Sequence, residues 1–128
     1  MTTAPTPRRR QSKEHSEQTR FVMKVRAFHP EVLCFAVPNG ASVSAAQRLR
    51  LTHEGMMAGA PDMLLFAASL PPLAIEMKTD TGKASKEQLS MHHALRDRGI
   101  VVQLCRSAEE AYNVMTAWLN INRTTDSK

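Results

Sequence analysis

The chain is poor in cysteine. Of its 128 residues only Cys34 and Cys105 are cysteines, and both fall in apolar, strand-like runs. That makes them reduced core residues rather than a disulfide or a metal pair. No apolar run is long enough to cross a membrane. The N-terminus is basic but lacks the apolar core of a signal peptide, so an intracellular location is expected. There is no Gly-rich phosphate-cradling motif, no Gly-x-Ser-x-Gly elbow and no internal repeat. His15, His29, His53, His92 and His93 show no ligand spacing with the cysteines, which argues against zinc. His92 and His93 are neighbours on a helix and point apart. P-loop, serine-hydrolase, zinc-site and membrane-spanning classes are thereby set aside.

What is present is enough chain for one domain and one core. Hydrophobic residues make up 42% and the formal net charge is +5. That composition supports a globular fold, and the basic balance suits a polyanionic partner. Residues 1–11 are Thr/Pro/Arg-rich without periodicity and read as a disordered basic arm. Arg8, Arg9 and Arg10 could meet phosphates there, or simply be solvated. The folded part is expected over 12–120, with a frayed tail over 121–128.

Ser12 can cap a helix reaching about His29, with Phe21, Val22, Val25 and Phe28 at helical spacing on its buried face. Glu14 and Gln18 lie along that face, with Glu17 to one side. Val32 to Val37 reads as a buried strand, ended by the turn chemistry of Pro38-Asn39-Gly40. A second helix begins at Ser42 or Ser44 and ends near Gly55. Its polar surface carries Arg48, Arg50 and His53, which fit phosphate contacts, although a charge run on a helix is usually only a solvated face. After Lys78 a polar loop with Gly82 and Lys83 leads to Ser85-Lys86-Glu87-Gln88, a capping box. That helix runs to about Arg98, with Gly99 as its stop and Leu89, His92 and Leu95 or Arg96 as one stripe. Ile100 to Cys105 is another apolar strand. Ser107-Ala108-Glu109-Glu110 reads as a further capping box before a last helix with Ala111, Val114, Met115 and Trp118 inward. The order implies an α/β domain, a small mixed β-sheet flanked by helices, with a parallel last crossover.

The stretch from Gly59 to Lys78 organises the rest. It reads Gly59-Ala60-Pro61-Asp62 into an apolar run, breaks over 67–72, then continues Leu73-Ala74-Ile75-Glu76-Met77-Lys78. Charged residues are rarely buried without partners. The short break predicts an antiparallel hairpin with Asp62 opposite Met77, within a residue of Glu76. Glu76 and Lys78 share one face, roughly 7 Å apart at the backbone. Two carboxylates and an ammonium then converge, and a divalent cation with a phosphate would satisfy them. Hard cations such as Mg²⁺ or Mn²⁺ prefer such oxygen ligands. Asp62 and Glu76 would be ligands, with the Met77 carbonyl as a possible third. Lys78 would hold the attacking water or the scissile phosphate.

Pro61-Asp62 with Glu76-Met77-Lys78 resembles the PD-(D/E)xK nuclease signature. Val37-Pro38-Asn39-Gly40, Gly55, Gly59-Ala60-Pro61-Asp62, Glu76-Met77-Lys78 and Gly82-Lys83-Ala84-Ser85-Lys86-Glu87-Gln88, in that order, closely resemble the virus-type replication-repair nuclease (VRR-NUC) family. The likeness runs from about Glu14 to Trp118. It implies a restriction-endonuclease-like core and a metal-dependent DNA endonuclease. It also implies a first-helix glutamate at the metal site, for which Glu14 fits better than Glu17 because Gln18 follows it by four residues. Gln88 would then lie beside the metal besides capping, and Asn39 and Gly40 would approach the DNA backbone, with Arg48, Arg50 and Lys83 as further contacts. Stand-alone members, of the phage and prophage type, act as homodimers on four-way (Holliday) junctions. The same is therefore expected here, in a bacterial or phage-infected cell. The alternatives are a nuclease for flaps or other DNA or RNA ends, and a non-catalytic DNA-binding module on the same fold. An intact Asp/Glu/Lys set speaks against the last, since a pure binder gains nothing from carboxylates facing phosphate. For those three residues taken alone, a solvated strand pair with a cross-strand ion pair remains the plain reading.

Overall fold

Helix α1 (Pro7–Phe28) is followed by β1 (Leu33–Ala36), α2 (Ala45–His53), β2 (Met63–Phe66), β3 (Leu73–Met77), α3 (Lys86–Asp97), β4 (Val101–Cys105) and α4 (Ala108–Leu119). This is a computed structural model, which describes residues 7–38 and 43–121, with the backbone alone for 7–12. The strands form one sheet in the order β1-β2-β3-β4. β1 with β2 and β2 with β3 run antiparallel, and β3 with β4 runs parallel across α3. The architecture is the mixed α/β sheet expected from the element order.

One face of the sheet carries the core. Phe21 and Val25 of α1 meet Met63 and Leu65, Leu73, Ile75 and Met77, and Cys105, with Ala111, Met115 and Trp118 of α4. Each such side chain, fully buried, contributes about 1.5–3 kcal/mol. The Trp118 indole N–H donates to the Pro71 carbonyl at 2.7 Å, which anchors α4 to the hairpin turn. Cys34 and Cys105 are free and buried, as their surroundings imply. The second face carries Ala74, Glu76 and Val102 and is partly covered by α3.

Several local expectations change. α1 begins at Pro7 rather than Ser12, so residues 7–11 are helical and not part of a disordered arm. Proline suits the first helical turn, and the arginines and Gln11 after it are good helix formers. Phe28 is 69% exposed rather than buried, because the packed stripe of α1 ends at Val25. The segment read as a buried strand is the sheet's edge, with Cys34 inward and Leu33 and Phe35 outward. α3 covers the β4 side of the second face and leaves these two uncovered. On α3 itself Leu89 is exposed and His92 is the buried residue. Ser44, not Ser42, caps α2, with a complete capping box. At α4, Ser107 Oγ accepts from the Glu110 N–H, but the Glu110 carboxylate accepts from Arg106 instead of closing the box. Asn39, Gly40 and residues 122–128 lie outside the described residues.

Candidate active site

The register of the hairpin decides the site. Met63 pairs with Ile75, Leu64 with Ala74 and Leu65 with Leu73. One step further sets Asp62 beside Glu76, not Met77 as the sequence suggests. The difference matters because a slip of one residue moves a side chain to the other face of a sheet. With the observed register Asp62, Glu76 and Ala74 share the face toward α3, while Met77 joins the core.

β3 is buried along its whole length, and Glu76 is only 2% exposed. Burial, then the hydrogen bond and charge of Asp62, push its carboxyl up to about 9, with Glu14 adding to the rise and Lys78 opposing it. Two carboxylates on one point cannot both ionise easily, so Glu76 keeps its proton well above the ordinary carboxylate range. Asp62 Oδ2 accepts the Met77 N–H at 2.6 Å, which ties the start of β2 to the end of β3. Lys78 follows directly, with its N–H on the Cys105 carbonyl at 2.9 Å.

Glu14 reaches the same end of the sheet from α1. Its Oε1 accepts the Thr79 N–H at 3.2 Å. Glu17, one turn on, instead accepts the Ala108 N–H at 2.9 Å and so caps the first turn of α4. Glu14→Gln should therefore slow cleavage about tenfold or more at little cost in stability. Glu17→Gln, whose amide oxygen can still accept the Ala108 N–H, should leave both rate and stability near wild type, while Glu17→Ala should cost about 0.5–2 kcal/mol, the range of a lost helix cap, again with little change in rate. Rates and urea midpoints on these variants decide; equal rates would return α1 to a structural role.

Gln88 completes the capping box at α3. Its Oε1 accepts the Ser85 N–H at 2.8 Å and its N–H donates to Ser85 Oγ at 3.1 Å. Gly59 sets the distance between this helix end and the Asp62 segment. It has φ +85, and a Cβ there would stand 2.5 Å from the Glu87 carbonyl carbon and 2.8 Å from the Gln88 nitrogen. Gln88→Glu keeps the cap, so the melting temperature should stay within about 2 °C. If the residue also serves the metal or water, cleavage should nonetheless fall severalfold. We expect the fall; an unchanged rate would leave Gln88 a cap alone.

Two further neighbours escaped sequence reading. His92 Nε2 lies 3.4 Å from Glu76 Oε1. The signal was a polar residue on an inward stripe opposite an acidic strand. Arg106 donates to the Thr79 and Gly82 carbonyls at 2.6 and 2.7 Å and pins the loop after Lys78. Nothing in the sequence marks it, because the contact exists only once β4 lies parallel beside β3. Lys83 is exposed on that pinned loop. α2, with Arg48 and Arg50, has no buried residue among the described ones. Arg50 forms an exposed ion pair with Glu54 at 3.4 Å, of a kind worth little to stability.

Among the described residues no three His, Cys, Asp or Glu side chains form a ready-made metal cage. Asp62 and Glu76 supply two carboxylates, and main-chain oxygen or water would complete a shell. That donor set fits a hard divalent cation, which often keeps several waters. A cation there would also favour the ionised form of Glu76. Among the described residues no helix is long and apolar enough to cross a membrane.

A fold of this kind occurs in solved structures. One described as a VRR_NUC domain protein aligns with a TM-score of 0.69 at 16% identity, over 85% of this chain and 89% of that one. Another, a VRR_NUC domain, aligns with a TM-score of 0.59 at 22% identity, over 81% and 95%. No curated protein matches the sequence. The VRR-NUC domain model matches residues 9–109, and the chain belongs to that family. It is thus a nuclease of the PD-(D/E)xK type, with DNA as its substrate.

Proposed function

We propose that this chain is a divalent-metal-dependent DNA endonuclease, with Mg²⁺ or Mn²⁺ held by Asp62, Glu76 and the Met77 carbonyl. The observation that carries the reading is Glu76, a carboxyl buried on a central strand beside Asp62, where burial and then its neighbour push it well above the ordinary range. A domain with no use for a cation would be more stable with an apolar residue there.

The cation supplies Lewis acidity at the phosphate and a more acidic water. The protein's own residues do the rest. Asp62 is held in place by the Met77 N–H. Holding a cation would require the Glu76 carboxyl to ionise, so metal binding should strengthen with pH. The Lys78 ammonium offsets charge on the phosphate and orients the water. Glu14 adds negative charge beside Thr79, and Gln88 stands at the α3 N-terminus, an end that favours anions. Lys83, Arg48, Arg50, Asn39 and Gly40 are assigned to the DNA backbone, and the nuclease unit, expected over 12–120, is extended to 7–120 to take in the whole of α1.

The substrate proposed is the four-way junction, cut by a homodimer. A two-fold dimer is the commonest oligomer, and it pairs two cleavage centres with the two equivalent strands of a junction. In support, the edge strand β1 carries no charge or proline, and Leu33, Phe35 and Phe66 lie exposed beside it, with Phe35 and Phe66 stacked at 5.8 Å. Edges of that kind attract partners. The test offers linear, flapped and four-way DNA with and without Mg²⁺, alongside light scattering. Paired incision of the junction, none in chelator, and twice the chain mass are expected. Cleavage in excess chelator would sink the metal reading, and a monomer preferring flaps would sink the junction reading.

A further inference from the structure

His92 has no part in the chemistry above, yet it is the buried residue of α3, 3% exposed. Leucine or methionine would fill such a position without polar nitrogens to satisfy. The imidazole faces Glu76, whose neighbours on β3, Leu73, Ala74, Ile75 and Met77, are all apolar. The two carboxylates of the site are treated alike. Asp62 has its Oδ2 tied by a main-chain N–H, and Glu76 has its Oε1 within 3.4 Å of His92 Nε2. Each is left with one oxygen not so tied.

Resting on the nuclease reading, we propose that His92 is a positioning residue: its Nε2–H donates to Glu76 Oε1, fixes that carboxylate in one rotamer and turns Oε2 toward the cation. Ligating carboxylates need such outer partners to hold their orientation.

The test titrates Mn²⁺ into the full chain, with free Mn²⁺ counted by electron paramagnetic resonance, and measures cleavage on the same samples. Glu76→Gln reports on the nuclease reading alone and is expected to lose Mn²⁺ binding. His92→Leu keeps similar volume but has no donor. It is expected to weaken Mn²⁺ binding about tenfold to a hundredfold, and to raise the Mn²⁺ needed for half-maximal cleavage by the same factor. His92→Gln places a side-chain nitrogen near the position of Nε2 and is expected to recover most of the loss. His92→Asn, one carbon shorter, is not. Should His92→Leu fail to fold, the Gln and Asn variants decide between them. Wild-type Mn²⁺ affinity in His92→Leu, or Gln and Asn variants that behave alike, would overturn the positioning role. Undiminished Mn²⁺ binding in Glu76→Gln would overturn the nuclease reading instead.

Discussion

Replacing Glu76 by glutamine is expected to abolish cleavage and, without metal, to make the protein more stable. The first effect follows from losing one of two carboxylates. The second follows from its environment. In the native protein the Glu76 carboxyl is pushed up to about 9 from an ordinary value of 4.5. The unfolded chain titrates near the ordinary value. Between the two, the native state keeps a proton that the unfolded state has released, so rising pH favours unfolding by up to about 1.4 kcal/mol per pH unit. The contribution is full below 4.5 and lost as pH climbs toward 9. Glutamine stays neutral throughout. The melting temperatures of wild type and Glu76→Gln should therefore be close near pH 4.5 and diverge toward pH 8, with the variant higher by roughly 10 °C or more. Millimolar Mg²⁺ should narrow the gap by binding only the wild type. A pH-independent difference would contradict the raised Glu76 carboxyl. Glu76→Ala should likewise be inactive while remaining folded and still binding DNA in gel-shift experiments.

Gly59→Ala is expected to be the most damaging small substitution. Gly59 and Gly99 share the same φ of +85, but a Cβ at Gly99 meets nothing within 4 Å, whereas at Gly59 it would strike the α3 backbone. The left-handed conformation alone costs alanine about 1–2 kcal/mol. Overpacking adds about 1–3 kcal/mol. Gly99→Ala should therefore show only the first cost. Gly59→Ala should show both, with a melting temperature lowered by roughly 10 °C or more. It should also lose cleavage beyond what stability explains, because α3 must back away from Asp62 and carry Gln88 and His92 with it. Equal losses in the two variants would remove the close approach from consideration.

The order and type of the elements were legible in the sequence, and so were the chemical residues. Alternating or helical spacing of apolar residues, Ser44, Ser85 and Ser107 as caps, and Gly99 as a stop are short-range signals that act within a turn or two of chain. Asp62, Glu76 and Lys78 stood out because charges interrupt apolar strands. Tertiary structure decided what lies between segments. It set Asp62 opposite Glu76 rather than Met77, a single-residue choice fixed by which faces of β2 and β3 meet α1 and α4. It sent Glu14 to Thr79 and Glu17 to Ala108, two acids one turn apart whose fates depend on what packs beside α1. It brought His92 to Glu76, closed Gly59 onto α3 and laid Arg106 across the loop after Lys78. Each of these joins residues far apart in sequence. No local pattern encodes such contacts, since their energies exist only after both partners have been placed by the burial of everything around them.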